Sequence, residues 1–349
     1  MTVPTTLNPA ASSVATVRRP KRLRSLWLLV SLGVLAGLML ASVMIGSREV
    51  SWAEIVAALG GSIDGFGPAA VATRIPRTLL AVVAGAALAL SGAVMQGVTR
   101  NPLADPGILG VNVGASLAVV CGMAYFGLTS ASEMIWVAIV GAGATAVFVY
   151  TIGSLGRGGS TPLKLALAGA ATSAALASFV TAVVLPRNDI AEGVRSWQIG
   201  GVGGATLESI RVVAPFLLVG LIVSLLSARS LNSLALGDDL AAGLGERVAI
   251  ARAAAAIGAV VLCGAITAVA GPIGFVGLVV PHACRLIVGV DHRWLLPFSA
   301  VLGAALLTGA DVLGRIVSRP SEIDVGIITA LIGAPFFIYI VRRRKVREL

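Results

Sequence analysis

The stretch TLLAVVAGAALALSGAVMQGV, Thr78 to Val98, runs 21 positions without a charged residue. A helix needs about 20 apolar residues to cross the hydrocarbon core of a bilayer, so this segment is long enough to span one. Within it Gly85, Ala89, Ala93 and Gly97 recur every four residues. That spacing lays small side chains along one helix face, where a neighbouring backbone can approach closely. Gly33/Gly37 and Gly110/Gly114 repeat the pattern. The segment therefore reads as a membrane helix packed among other helices.

Composition extends this reading to the whole chain. Of 349 residues, 57% are hydrophobic and 12% charged, against roughly 25% charged in an average soluble domain. So few charges cannot coat a water-soluble globule of this size. The mean hydropathy of +0.97 agrees, and a cytosolic enzyme, a disordered chain and a collagen-like chain are all excluded. The same ruler gives ten spans, near 26–46, 76–98, 108–128, 134–155, 163–185, 212–228, 250–270, 273–290, 294–314 and 323–341. The fold class is an all-α polytopic membrane protein. Its organisation is a basic tail over 1–25, one membrane domain over 26–341 and a second basic tail over 342–349. Residues 1–17 are polar and aperiodic and read as disordered. The apolar run from Leu26 is long for a cleaved signal peptide, so it reads as a retained span.

Orientation follows from Lys and Arg near the span ends. With ten spans both termini share a side, and that side collects 18 of the 26 basic residues, five of them in each tail. Both tails are therefore expected in the cytoplasm, where anionic lipid of the inner leaflet attracts them. The net charge of +10 is explained this way without nucleic acid.

The residues also say what drives the protein. Carriers coupled to protons or sodium usually bury a carboxylate or histidine mid-membrane, and the first seven spans hold no acidic residue well inside them. Asp311 lies late in the ninth span, four residues before Arg315, the spacing of a local helix pair. Pro281 interrupts the eighth span, which reads as short or broken with His282 and Arg285 near the cytoplasmic surface. The only lysines are Lys21, Lys164 and Lys345, so no phosphate-binding G-x-x-x-x-G-K-[ST] loop exists. Two histidines and the scattered Cys121, Cys263 and Cys284 compose neither a metal site nor a catalytic constellation. The chain is expected to be no enzyme, to hold no cofactor or metal, and to take its energy from elsewhere.

One cytoplasmic loop, 229–249, is distinctive, and its residues 229–247 read RSLNSLALGDDLAAGLGER. Asp238 is placed to cap a short helix reaching Leu244, with Gly245 ending it. Its apolar face, Leu240 and Leu244, offers a docking element for a soluble partner.

Several blocks together resemble the FecCD family, the permease subunits of bacterial ABC importers for iron-siderophores, haem and vitamin B12. They are Thr73–Thr78 (TRIPRT), Leu90–Gln96 (LSGAVMQ), Thr99–Gly114 (TRNPLADPGILGVNVG), Gly271–His282 (GPIGFVGLVVPH) and Gly326–Phe336 (GIITALIGAPF). RSLNSL at 229–234 and GVDHRW at 289–294 resemble the ferric-enterobactin type. The resemblance covers about 26–345 and implies a type II importer fold, similar to the vitamin B12 importer, with ten helices per subunit. It implies a second permease subunit (a paralogue or a copy of itself), two ATPases that bind MgATP, and an external substrate-binding protein. It also assigns residues. Leu236, Gly237, Asp238, Asp239, Leu240, Ala241, Gly243, Leu244 and Gly245 would form the ATPase-coupling loop. Arg74, Arg77 and Arg315 would receive acidic residues of the binding protein, as rim charges that steer association. Trp197, Gln198, Gln96 and Asn112 would line the substrate path. The function it implies is import of a ferric siderophore across the inner membrane. Haem or cobalamin import, or an ion-coupled secondary carrier, are the alternatives.

Overall fold

The computed structural model describes residues 21–46, 50–61, 65–155 and 162–343. Most of the two basic tails, including Arg18, Arg19 and Arg344 to Arg347, lies outside the described residues. Fourteen α-helices and one 3-10 turn are formed, and no strand occurs among the described residues.

The helices are α1 (Lys21–Met44), α2 (Trp52–Leu59), α3 (Phe66–Thr99), α4 (Val111–Phe126), α5 (Ala131–Ser154), α6 (Pro162–Val184) and α7 (Asn188–Ile199). They continue with α8 (Leu207–Leu226), α9 (Ala228–Leu234), α10 (Asp238–Gly243), α11 (Val248–Ala270), α12 (Val276–Val288), α13 (His292–Val317) and α14 (Val325–Arg343). All ten expected spans appear as helices. By length and composition seven of them, α1, α3, α5, α6, α8, α11 and α13, can cross a membrane. The other three, α4, α12 and α14, are shorter apolar helices. Pro281 lies inside the 13-residue α12, and a helix that short reaches only about 20 Å.

Helix α3 begins ten residues before the expected span and contains Pro76. Its 34 residues make a rod about 50 Å long, well beyond the hydrocarbon thickness of about 30 Å. Its uncharged stretch is buried on nearly every side, as a helix apolar all round must be, and α3 packs on α13, α11, α12 and α1. Glycine permits this. A Cβ on Gly85 would lie 2.2 Å from the Gly303 carbonyl oxygen of α13, and one on Gly92 would lie 2.0 Å from that of Gly277 in α12. Gly114 likewise faces Thr145 and Gly141 of α5. Gly33 and Gly37 differ from the expectation: nothing lies within 4 Å of either, because α1 is peripheral and exposes Leu26, Leu29 and Leu32.

Both described termini reach the same end of the bundle. Arg24, at the start of α1, approaches Asp291 before α13, while the end of α1 meets Arg315 near the end of α13. Helix α14 then returns from the far end. The terminal end thus gathers the start of α1, the end of α3, α9, α10 and the starts of α11 and α13. The far end gathers the end of α1, Arg74, Arg77, Asp311, Arg315 and the turn before α14.

Candidate functional site

At the terminal end, α9 and α10 build a small projecting unit. Leu231 and Leu234 of α9 and Ala241 of α10 are fully buried against the bundle. Leu236, Leu240 and Leu244 face outward at 56%, 62% and 67% exposure. Three exposed leucines on so short a segment make an apolar knob of the kind that marks an interaction surface.

The start of α10 corrects the sequence expectation. Asp238 does not cap the helix. Gly237, at φ 107°, occupies the cap, and Asp238 is the first helical residue. Its carboxylate instead receives Arg100 at 3.0 Å and Arg252 at 2.9 Å. One side chain therefore ties α10 to the end of α3 and to the start of α11. Leu244 is the C-cap. Beyond it, Gly245 at φ 87° and Glu246 donate their N–H groups to Ala242 and Ala241 and close the helix. Glycine is needed at 237 and 245 because both positions are left-handed. Gly243 and Asp239 complete the exposed turn.

Helix α9 is anchored independently. The Asn232 carbonyl oxygen accepts the His292 backbone N–H at 2.9 Å and ring Nδ1–H at 2.8 Å, while its NH2 donates to Asp291 Oδ1 at 2.8 Å. Burial works to raise the Asp291 pKa. The Asn232 amide, the Arg293 N–H and the charges of Arg293 and Arg24 outweigh it and hold the carboxyl below its ordinary value.

At the far end the three arginines expected at a docking rim are turned inward. Arg315 is 1% exposed. It donates to Ser42 O at 2.8 Å, Ile45 O at 3.1 Å, Ser42 Oγ at 2.6 Å and Asp311 Oδ2 at 2.8 Å, and Nε reaches Asp311 O at 3.4 Å. Arg74 donates to Val43 O and Met44 O, both at 3.1 Å. These carbonyls end α1, where a helix leaves acceptors unsatisfied and its dipole favours cations. Arg77 forks onto Asp311, with Nε at 3.0 Å and Nη2 at 2.8 Å from Oδ1, and pairs with the more exposed Glu322. The local pair of Asp311 and Arg315 is thus one edge of a network joining α1, α3, α13 and the turn before α14. Spacing alone showed only that edge.

The residues expected on a substrate path divide. Gln96 is buried between helices, accepting Arg285 at 2.6 Å and donating to Gly277 O at 3.0 Å. Trp197 is half-buried, with Nε1 donating to Ala268 O at 3.4 Å, and Gln198 beside it is half-buried too. Asn112 lines a cavity of about 330 Å³ together with Asp105, Ser173, Phe275 and Leu278. Asp105 went unnoticed in the sequence because it lies in a loop, and only the fold carries that loop inward.

With this geometry in place, comparison with known proteins gives consistent results. The model of the FecCD transport family matches residues 34–343. The ferric enterobactin transport system permease protein FepD of Escherichia coli (strain K12) is 42% identical over 304 residues, 87% of this chain and 91% of that protein. The iron(3+)-hydroxamate import system permease protein FhuB of Bacillus subtilis (strain 168) is 45% identical over 273 residues, 78% of this chain and 71% of that one. A solved metal-chelate type ABC transporter in an inward-facing conformation superposes with a TM-score of 0.79 at 28% identity, covering 92% of this chain and 99% of that one. A helical bundle with this family match and these relatives is a multi-pass membrane transport protein, and the chain belongs to the FecCD transport family.

Proposed function

We propose that this chain is the membrane subunit of an ATP-driven importer that carries a ferric siderophore across the bacterial cytoplasmic membrane. Both termini lie inside, in keeping with the concentration of Lys and Arg at the terminal end. The observation that carries the reading is the α9–α10 unit. It presents Leu236, Leu240 and Leu244 to solvent and is clasped to α3 and α11 through Asp238 and to α13 through Asn232. A rigid apolar knob with such attachments suits an ATPase groove, and closure of an MgATP-bound ATPase dimer would bias helices α3, α11 and α13 through it. The partners would be two ATPases, a second permease subunit and a substrate-binding protein. FepD and FhuB are named for different iron chelates, so the proposed substrate is the siderophore class.

Docking of the binding protein is assigned to the far-end surface around the exposed Glu322, which Arg77 holds in place. Arg315 has every guanidinium N–H engaged internally, and Arg74 holds the end of α1. Both fix the platform on which Arg77 sits.

Proteoliposomes holding this permease with its partner ATPase and binding protein would take up radioiron–siderophore when ATP is present on the ATPase side. Catecholate and hydroxamate chelates would be tried in parallel. Uptake driven by a proton gradient without ATP would overturn the reading.

A further inference from the structure

The loop Asn101–Gly110 leaves α3 at the terminal end and turns back into the bundle. Ala104 and Leu109 are buried, and Asp105 Oδ1 accepts the Gly107 N–H at 2.8 Å, capping the 3-10 turn. The second oxygen lies over α12: a Cβ on Gly277 would stand 2.5 Å from Asp105 Oδ2. Gly277 in turn packs on Gly92, fifteen residues along α3 from Arg77, or about 22 Å, and eight from Arg100, or about 12 Å. The carboxylate therefore sits at membrane depth, although it belongs to no span.

Ionisable groups at that depth are costly and normally face a polar cavity. This one does. The cavity of about 330 Å³ between α6 and α12 is lined by Asp105, Asn112 and Ser173 opposite Phe275 and Leu278, and among the described residues no Lys, Arg or His lines it. Asn112 Oδ1 receives Cys263 Sγ at 3.1 Å and Thr267 Oγ1 at 3.3 Å, which turns its NH2 toward Gly107. Phe275 forms one wall in a left-handed conformation, φ 68°, packed on Gly333 of α14. A side chain other than glycine held at positive φ is a strained feature of the kind found at ligand clamps. Capping alone does not explain the carboxylate. One neutral oxygen from Asn or Ser caps equally well, whereas a buried carboxylate must be either paired or neutralised by a proton.

We propose that this cavity is a water-accessible station inside the membrane that holds a small cationic group, an alkali cation or an ammonium, on Asp105. It stands on the geometry of one chain and does not depend on what the complete transporter carries.

The test uses the purified full chain with Ser173→Cys and Cys121→Ala, treated with a cationic (trimethylammonium) and an anionic (sulfonate) methanethiosulfonate. Each rate is divided by that reagent's rate with a free thiol. A carboxylate within several ångströms should favour the cationic reagent about tenfold in a watery cavity. Adding Asp105→Asn, which keeps the capping oxygen, should bring the ratio near one. Sodium or potassium should slow the cationic reagent only while Asp105 is present. An introduced thiol that reacts with neither reagent overturns the proposal. So does a normalised ratio near one with Asp105 in place, a result that needs no second variant to fold. A ratio that survives both Asp105→Asn and Asp105→Ser overturns it as well.

Discussion

Arg77 and Asp311 stand 234 positions apart in the chain, yet Arg77 donates Nε and Nη2 to the Asp311 carboxylate at 3.0 and 2.8 Å. The same carboxylate receives Arg315 at 2.8 Å. Asp311 is therefore the shared anion of two guanidinia, one on α3 and one on its own helix, α13.

Removing that anion should be severe. Asp311→Ala leaves the buried Arg315 guanidinium without its counter-charge and Arg77 with only Glu322, a loss of about 3–5 kcal/mol. Glu322→Gln at the exposed margin should change stability by about 1 kcal/mol or less. Thermal unfolding of both variants in one detergent separates them, and equal losses would show that Asp311 is not the centre of the network.

Glycine substitutions should split by location. Gly92→Ala pushes a methyl group into the Gly277 backbone, and overpacking of this kind costs about 1–3 kcal/mol or more. Gly37→Ala meets open space and gains helix propensity, up to about 1 kcal/mol. Yield and melting temperature of the two variants report the difference.

The knob on α10 predicts a loss of function without a loss of fold. Leu240→Glu and Leu244→Glu alter exposed positions and should shift stability by about 0.5 kcal/mol at most. ATP-driven uptake by the assembled transporter should fall at least about tenfold, since a charge would enter an apolar contact. Wild-type uptake by both variants would remove α10 from the coupling role.

Gln96 separates a structural role from a path role. Gln96→Leu strips an acceptor from Arg285 and a donor from the Gly277 carbonyl, and leaving such groups unmatched costs about 1–3 kcal/mol. The expected outcome is a lower melting temperature. Unchanged stability with altered substrate selectivity would return Gln96 to the path.

Much of the architecture was legible in the sequence because hydropathy is a local property. Thr78–Val98 announces its span without reference to any other residue, and the parity of ten spans puts both termini at one end. The short α10 was legible from Gly245, the residue type that a left-handed backbone at a helix end favours. The inward turn of Arg74 and Arg315 was not, because it depends on where the carbonyls that end α1 come to rest. The role of Asp238 was hidden for the same reason. An aspartate after glycine reads as a cap, and Arg100 and Arg252 become its partners only when α3 and α11 meet.

The sequence by itself determined the class of molecule, the spans, their shared polarity and the apolar knob, all of which follow from composition and periodicity along one helix at a time. The tertiary structure decided which glycines serve as contacts, which charges are shared, and that a loop aspartate sits at membrane depth. Those outcomes depend on distances between segments remote in the chain. The low charge content supports this division. With only 12% charged residues, each one drawn toward the bundle must find a partner there, and only the packing of helices fixes which one.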